Sequence, residues 1–270
     1  MTLNTHAARP YQEVTVATAA LGITGERTVP GVPHENYWFR RHEAAYAALP
    51  GWVPSPPSMV VDAGCGEGYA ARLVHRAWPR ARVVGVDYDA AATAHAARVY
   101  AGPSAAYLRG ALTALPLRAG VADVTVSLQV LEHIWTPADY VGELARITRP
   151  GGHLVLSTPN RLTFSPGLGR RERPVNAYHC REYDVEELVV ELTRWLPDVP
   201  VEVFGLAMGP RLRRWEQVHG SLVEAQQAAG PQHWPVPLQE LVPSVSVADF
   251  ELGPADDQCL DLIAVLARAH

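Results

Sequence analysis

The chain has 270 residues, a formal net charge of -5, 48% apolar residues and 19% charged ones. That is enough apolar material for one large core, and the mildly acidic balance argues against nucleic acid or an anionic membrane as the main partner. No window approaches the ~18 uninterrupted apolar residues that cross a bilayer, and no basic start followed by an apolar run suggests a secretory leader. Cys65, Cys180 and Cys259 lie far apart without metal-finger spacing, so they read as reduced thiols of a cytoplasmic protein.

In chain order, residues 1–24 are Thr- and Ala-rich without periodicity and read as a flexible N-terminal segment, with the folded domain running over 25–270. Residues 35–49 have helical spacing, with Trp38, Ala45 and Leu49 on one face, and the proline-rich stretch 50–57 breaks the chain. Strands are then predicted at 59–63, 81–87, 106–109, 123–130 and 153–158. Helices at 69–78, 90–100 and 137–147 alternate with them, the last stopping at Arg149-Pro150-Gly151-Gly152. Strands alternating with helices imply parallel pairing through right-handed crossovers. Past Pro159 the order loosens into a polar loop over 160–183, a helix over 185–196 and a strand over 201–206. A segment over 209–249 carries its own helix at 222–229, and an apolar strand follows over 260–267. The expectation is an α/β, doubly wound, mostly parallel Rossmann-like sheet of seven strands with an inserted cap. Long loops in compact domains are commonly functional, so 160–183 and 209–249 are expected to cover a substrate.

The strongest local signal is Val60-Val61-Asp62-Ala63-Gly64-Cys65-Gly66-Glu67-Gly68-Tyr69, a strand entering a glycine-rich turn and then a helix. Glycines at 64, 66 and 68 allow a sharp turn and close approach of a ligand, beyond the carboxyl ends of the strands where open α/β sheets bind cofactors. Asp87 follows about 20 residues later at the end of the next strand, where a carboxylate grips ribose hydroxyls. A nicotinamide dehydrogenase is the rival reading, but Tyr69 stands where its third glycine belongs. Glu67 would also meet a diphosphate at the helix N-terminus, where negative charge repels it. A cationic sulfonium carries no such conflict. A glycine turn without a ligand is the bland alternative.

Farther on, Gln129-Val130-Leu131-Glu132-His133 places polar side chains at the carboxyl end of an apolar strand. Asn176-Ala177-Tyr178-His179-Cys180-Arg181-Glu182 follows in the later loop. A carboxylate and two imidazoles converging at a sheet edge can hold a divalent ion or act as acid and base. Arg170, Arg171 and Arg173, and Arg211, Arg213 and Arg214, form two basic loops without interleaved aromatics, which reads as solvated charge in preference to a nucleic-acid surface.

The segments 62–68, Asp87, 110–112 and 123–133 together resemble the class I S-adenosylmethionine (SAM)-dependent methyltransferases, from about residue 25 to the C-terminus. The resemblance implies SAM as methyl donor and S-adenosylhomocysteine as product. It implies cofactor contacts from Asp62, Gly64, Cys65, Gly66, Gly68, Asp87, Tyr88, Ala111, Leu112 and Gln129, with Tyr37 closing over the cofactor. The family often has Asp where this chain has Ala111, which leaves adenine recognition there to backbone groups. The string QVLEH, with a second histidine after Ser157-Thr158-Pro159-Asn160, is similar to metal-dependent sugar and ribose O-methyltransferases, and to plant small-RNA and ubiquinone-pathway enzymes with a Mg²⁺-binding E-x-x-E-H pattern. That likeness implies Glu132, His133 and His179 as catalytic residues and Mg²⁺ ligands, with Gln129 in place of the first glutamate and hence one negative charge fewer. A histidine base without metal is the alternative.

The strings GERTVP from Gly25 and ENYWFRRH from Glu35, with TFSPG from Thr163 and GPRLR from Gly209, resemble actinobacterial methyltransferases acting on glycans. These include the group that methylates the 1-hydroxyl of mannosides in mycobacterial methylmannose polysaccharide assembly. This likeness implies a small oligosaccharide acceptor, with Trp38, Arg40 and Tyr178 as substrate contacts. A helix that packs its aromatics on the core competes with that role for Tyr37, Trp38 and Arg40. A quinone or phenol O-methyltransferase and a non-catalytic SAM-binding protein remain alternatives, and a homodimer is left open.

Overall fold

The computed structural model describes residues 27–269. The expected flexible segment 1–24 and the Gly25-Glu26 start of the glycan-methyltransferase likeness lie outside the described residues.

Strand β1 (Met59–Ala63) pairs in parallel with β2 (Arg82–Asp87) and β4 (Ala122–Leu128). Strands β3 (Ala105–Arg109) and β5 (Thr148–Pro159) extend the parallel set on either side. Beyond β5 the pairing turns antiparallel through β8 (Asp261–Ala267), β6 (Val201–Met208) and β7 (Phe250–Pro254), giving the order β3-β2-β1-β4-β5-β8-β6-β7. The sheet therefore has eight strands where the sequence predicts seven. The additional one, Phe-Glu-Leu-Gly-Pro, lies at the edge, where a glycine and a proline are tolerated and where apolar alternation is weakest.

Successive residues of the central strands bury on opposite faces. Val60, Val124, Val126, Val155 and Ile263 meet one layer of the core, and Val61, Leu154, Leu156 and Leu262 the other. Helices α1 (Asn36–Trp52) and α2 (Ala70–Ala77) cover the first layer through Leu49 and Val74. Helices α4 (Pro137–Ile147) and α6 (Val185–Trp195) cover the second through Tyr140, Leu144, Leu188 and Leu192, and α3 (Ala90–Tyr100) joins β2 to β3. Helix α1 runs through the predicted break at Pro50 and ends two residues later, at Trp52. The Arg149-Pro150-Gly151-Gly152 stop is absorbed into β5, which begins at Thr148, with a register shift against β4 and φ of +69° at Gly151.

The segment expected as a loop over 160–183 opens with one helical turn, α5 (Arg161–Phe164), and returns to pair Tyr183 with Asn160. The 209–249 segment is an insertion between β6 and β7. It holds α7 (Pro210–His219), α8 (Leu222–Gln227) and α9 (Val236–Ser244), and Gly209 N–H bonded to Asp249 O at 2.6 Å closes its base. It packs on α1, where Asn36 Nδ2 donates to the carbonyls of Val242, Pro243 and Val245 at 2.8–3.1 Å.

Gly68 joins the glycine turn to α2 at φ +97°, and a Cβ there would meet Ala96 Cβ of α3 at 2.5 Å. Gly68→Ala is therefore expected to cost roughly 2–4 kcal/mol through overpacking plus left-handed strain, read as a lower urea midpoint with unchanged slope. An unaltered midpoint would show that α3 yields freely at this contact.

Candidate active site

The carboxyl ends of β1 and β2 are fastened by the backbone itself. Gly64 and Cys65 N–H both reach Val86 O, at 2.7 and 3.1 Å, so the turn folds back over β2. The Asp87 carboxylate accepts from Gly66 N and Asp89 N, each at 2.9 Å, and Gly110 N–H bonds Asp87 O at 2.9 Å. These bonds gather three predicted cofactor segments, 62–68, 87–88 and 110–112, on one rim. At Gly66, φ is +49° and nothing lies within 4 Å of where a Cβ would stand, which leaves open space over the turn. Ala111 is exposed and Leu112 buried, with Leu112 Cδ1 3.5 Å from where a Cβ of Gly64 would lie. Cys65 is buried in the turn. Glu67 differs from the sequence reading: its carboxylate turns inward, with Tyr100 Oη donating to it at 3.1 Å and His95 Nε2 lying 3.4 Å away, and does not stand at the helix mouth.

Behind the rim lie several buried carboxyls. Asp62 accepts from Tyr46 Oη at 3.0 Å, and burial with Asp87 nearby pushes its pKa up to about 7. Asp261, at the start of β8, is pushed up to about 6 by burial, while Arg41 pulls the other way. Arg41 is a buried guanidinium whose Nε lies 3.0 Å from Asp261 Oδ2 and whose Nη2 donates to Gln129 Oε1 at 2.6 Å. It lies over both the Trp38 and the Phe164 rings, about 5 Å from each, and these two rings pack on one another. Gln129, which follows β4, holds φ at +56°, a strained conformation for a non-glycine residue and one found at functional sites. Its N–H and side-chain amide both bond Ser157. Its carboxamide oxygen is taken by Arg41, so a cationic neighbour occupies the atom expected to meet a metal.

The second cluster is assembled by a stitch between distant segments. Cys180 N–H bonds Glu132 O at 2.6 Å, Arg181 N–H the same oxygen at 3.3 Å, and Cys180 Sγ lies 3.3 Å from His133 O. This fixes the 176–182 loop over the 3₁₀ turn Leu131–His133 and brings the His133 and His179 rings to 4.9 Å, edge to face. One donor atom each from Glu132, His133 and His179 falls within 4.8 Å of the others. Thr158 Oγ1 donates to Glu132 Oε2 at 3.1 Å, and burial raises the Glu132 pKa while the two histidines oppose the rise. Glu182 Oε1 lies 2.6 Å from His179 Nδ1, the arrangement that orients a metal-ligating imidazole. Asn176 Nδ2 lies 3.0 Å from His179 Nε2, and His133 Nδ1 lies 3.1 Å from Tyr178 O. A buried carboxylate facing two orientable imidazoles is a donor set that fits a divalent cation, with room for oxygen ligands to complete it.

The residues expected to close over the ligands divide. Tyr37 is fully buried against Trp38 and Phe250, within the core on the α1 side of the sheet. Arg40 is engaged by Glu43 and by Asn36 Oδ1, within helix α1. Trp38 is part-buried on Phe164 and Arg41. Tyr178 and Tyr88 project into solvent, on the loop beside His179 and next to Asp87 respectively. In the basic loops, Arg170 pairs with Asp184 and Glu186, Arg211 with Asp249 and Arg213 with Glu251, so these arginines are balanced by acids.

Sequence reasoning missed Arg41, Asp261, Glu182 and Tyr46. Two of them carried a signal. Arg41 lies on the Trp38–Ala45–Leu49 stripe and had to be buried with it, and Glu182 follows His179 by three residues. Asp261 and Tyr46 become neighbours of the site only through the sheet order and the seat of α1.

A family model described as a methyltransferase domain matches residues 61–156. A protein of Mycobacterium tuberculosis strain H37Rv, described as a probable S-adenosylmethionine-dependent methyltransferase, is 42% identical over 96% of this chain and 94% of its own. A similarly described protein of Mycolicibacterium smegmatis is 42% identical over 93% and 96%. Among solved structures, a SAM-dependent methyltransferase from Thermotoga maritima superposes with a TM-score of 0.56 at 16% identity, over 86% of this chain and 93% of that one; this likeness concerns the fold.

The Asp62 shift has a definite sign. A carboxyl raised to about 7 holds its proton in the folded state and gives it up in the unfolded one. Its contribution is therefore complete below about pH 4 and is lost as the pH climbs through 7. Urea unfolding is expected to show a steeper fall in stability between pH 5 and 8 for the wild type than for Asp62→Asn. Parallel falls would show that Asp62 is not the group responsible.

Proposed function

The chain belongs to the SAM-dependent methyltransferases, and from that premise we propose that it methylates a hydroxyl oxygen of a sugar, the 1-hydroxyl of a short mannoside, with a divalent ion such as Mg²⁺ assisting. The observation that carries this reading is the Glu132–His133–His179 donor set, held at the same sheet edge as the glycine turn and Asp87. SAM supplies the methyl group, and the protein's work is to place an acceptor oxygen before it and dispose of a proton. Gly66, over which the turn is open, leaves space for the adenosyl moiety, Asp87 is the carboxylate for its ribose, and Tyr88, Ala111 and Leu112 flank the adenine. Asp62 and Gln129 lie toward the methionine end.

Glu132, His133 and His179 would hold the ion, which when bound lowers the pKa of an alcohol and aligns vicinal hydroxyls. Thr158 keeps the Glu132 carboxylate in place, and Glu182 holds Nδ1 of His179, so that Nε2 is the ring atom that would face the ion. For that ring to act, the Asn176 amide must swing from Nε2. The acceptor oxygen forms its bond to the methyl carbon as the carbon–sulfur bond breaks, and the hydroxyl proton leaves at the rim beside His133. Without metal, His133 takes it at Nε2, because its Nδ1 is held by the Tyr178 carbonyl. The loop over 160–183 carries His179 and Tyr178 and so serves as the acceptor-side wall.

Methyl transfer from SAM to mannobiose is the decisive assay. Chelator is expected to abolish it and added Mg²⁺ to restore it, with His133→Ala and His179→Ala losing about 10²–10⁴-fold and Glu182→Gln weakening metal affinity about 10–100-fold. Full activity in chelator removes the metal from the mechanism. Transfer to catechols but to no mannoside replaces the sugar with a phenolic acceptor.

A further inference from the structure

A single exposed aromatic ring is ordinary on a protein surface, but an aromatic ring next to a cluster of placed polar groups is the make-up of a ligand site. Among the described residues, Tyr88, Trp135 and Tyr178 are the aromatic side chains that stand mostly in solvent, at 70%, 85% and 63% exposure. None is scattered at random. Tyr88 adjoins Asp87 on the cofactor rim, while the other two border the donor cluster. Trp135 follows His133 by two residues, at the end of the 3₁₀ turn, and Tyr178 precedes His179 by one. The backbones that carry them are not free to drift: the Tyr178 carbonyl bonds His133 Nδ1, Tyr178 N–H bonds Asn176 Oδ1 at 3.0 Å, and Ile134 N–H bonds Leu131 O at 3.2 Å.

We propose that Trp135 and Tyr178 form the acceptor subsite, stacking on the C–H faces of a pyranose ring whose rim hydroxyls turn toward Glu132, His133 and His179. The inference rests on the sugar O-methyltransferase reading and adds to it the residues that select the acceptor. A pyranoside is apolar on its faces and hydroxylated around its edge. It needs an aromatic surface beside a polar floor, and that is the chemistry placed together here. A prenylated quinone would need a closed apolar channel instead, and the two rings are open to water. Neither ring takes part in the core, so shortening either one leaves the fold's packing untouched.

The test is steady-state methyl transfer to mannobiose by wild type, Trp135→Ala, Trp135→Phe and Tyr178→Ala, with S-adenosylhomocysteine affinity as the folding and cofactor control. Mannobiose quenching of tryptophan fluorescence in the S-adenosylhomocysteine-bound protein supplies a binding readout that needs no turnover. Each alanine variant is expected to raise KM about three- to ten-fold, the range of one ring contact, with kcat largely kept. Trp135→Phe should recover part of the loss, and Trp135→Ala should abolish the fluorescence change. Wild-type KM in both alanine variants overturns the stacking role and leaves the O-methyltransferase reading in place. Absence of both transfer and quenching with every mannoside, in the wild type itself, ends the two together.

Discussion

The organising constraint of this molecule is the gathering of carboxyl groups at one buried edge of a parallel sheet. Asp62, Glu132 and Asp261 all end or adjoin central strands, and each is withdrawn from water. Burial of a charged acid is tolerated only with compensation, and the structure supplies it unevenly. Tyr46 answers Asp62, Thr158 answers Glu132, and Arg41 answers Asp261, yet Asp62 and Asp261 are still raised to about 7 and about 6. The edge therefore has an unfilled appetite for positive charge. A sulfonium-bearing donor is of the sign that would relieve it, so the same electrostatics that burden the fold favour the methyl donor.

Arg41 is the pivot of that arrangement. Its guanidinium rests against two aromatic rings while it reaches a strand-end carboxylate and the strained Gln129. Through it, helix α1, the end of β4 and the start of β8 share one buried network. An amide at position 129 suits both of its neighbours: its oxygen accepts from Arg41 while its Nε2 donates to Ser157 Oγ, which a carboxylate could not do.

The parallel half of the fold was legible because its signals are local. Valine-rich strands, alanine-rich helices and the glycines at 64, 66 and 68 announce themselves within a dozen residues, and Asp87 follows at a fixed interval. The donor set was partly legible, since Glu132 and His133 are adjacent, and His179 entered through resemblance to known enzymes. What could not be read was how side chains would divide between surface and core. Tyr37 and Trp38 sit side by side in one aromatic-rich turn, and only the seating of α1 against Phe250 decides that Tyr37 goes inside. Strand β7 escaped because five residues ending in Gly-Pro carry no periodic signal.

The position of β8 has a consequence for how the molecule assembles. It lies between β5 and β6, about a hundred residues after the first of these, and Asn160 grips the chain just ahead of it through the carbonyls of Asp256, Asp257 and Cys259. Without β8, β5 presents an open hydrogen-bonding edge, and β6 with β7 is a two-stranded ribbon of the sort that has little independent stability. Closing so long a loop is entropically slow. The five-stranded parallel half can thus form early and wait, whereas Asp261 takes its place opposite Arg41 only when the sheet is closed. The buried charge network and the seam between the two halves of the sheet therefore depend on the same strand.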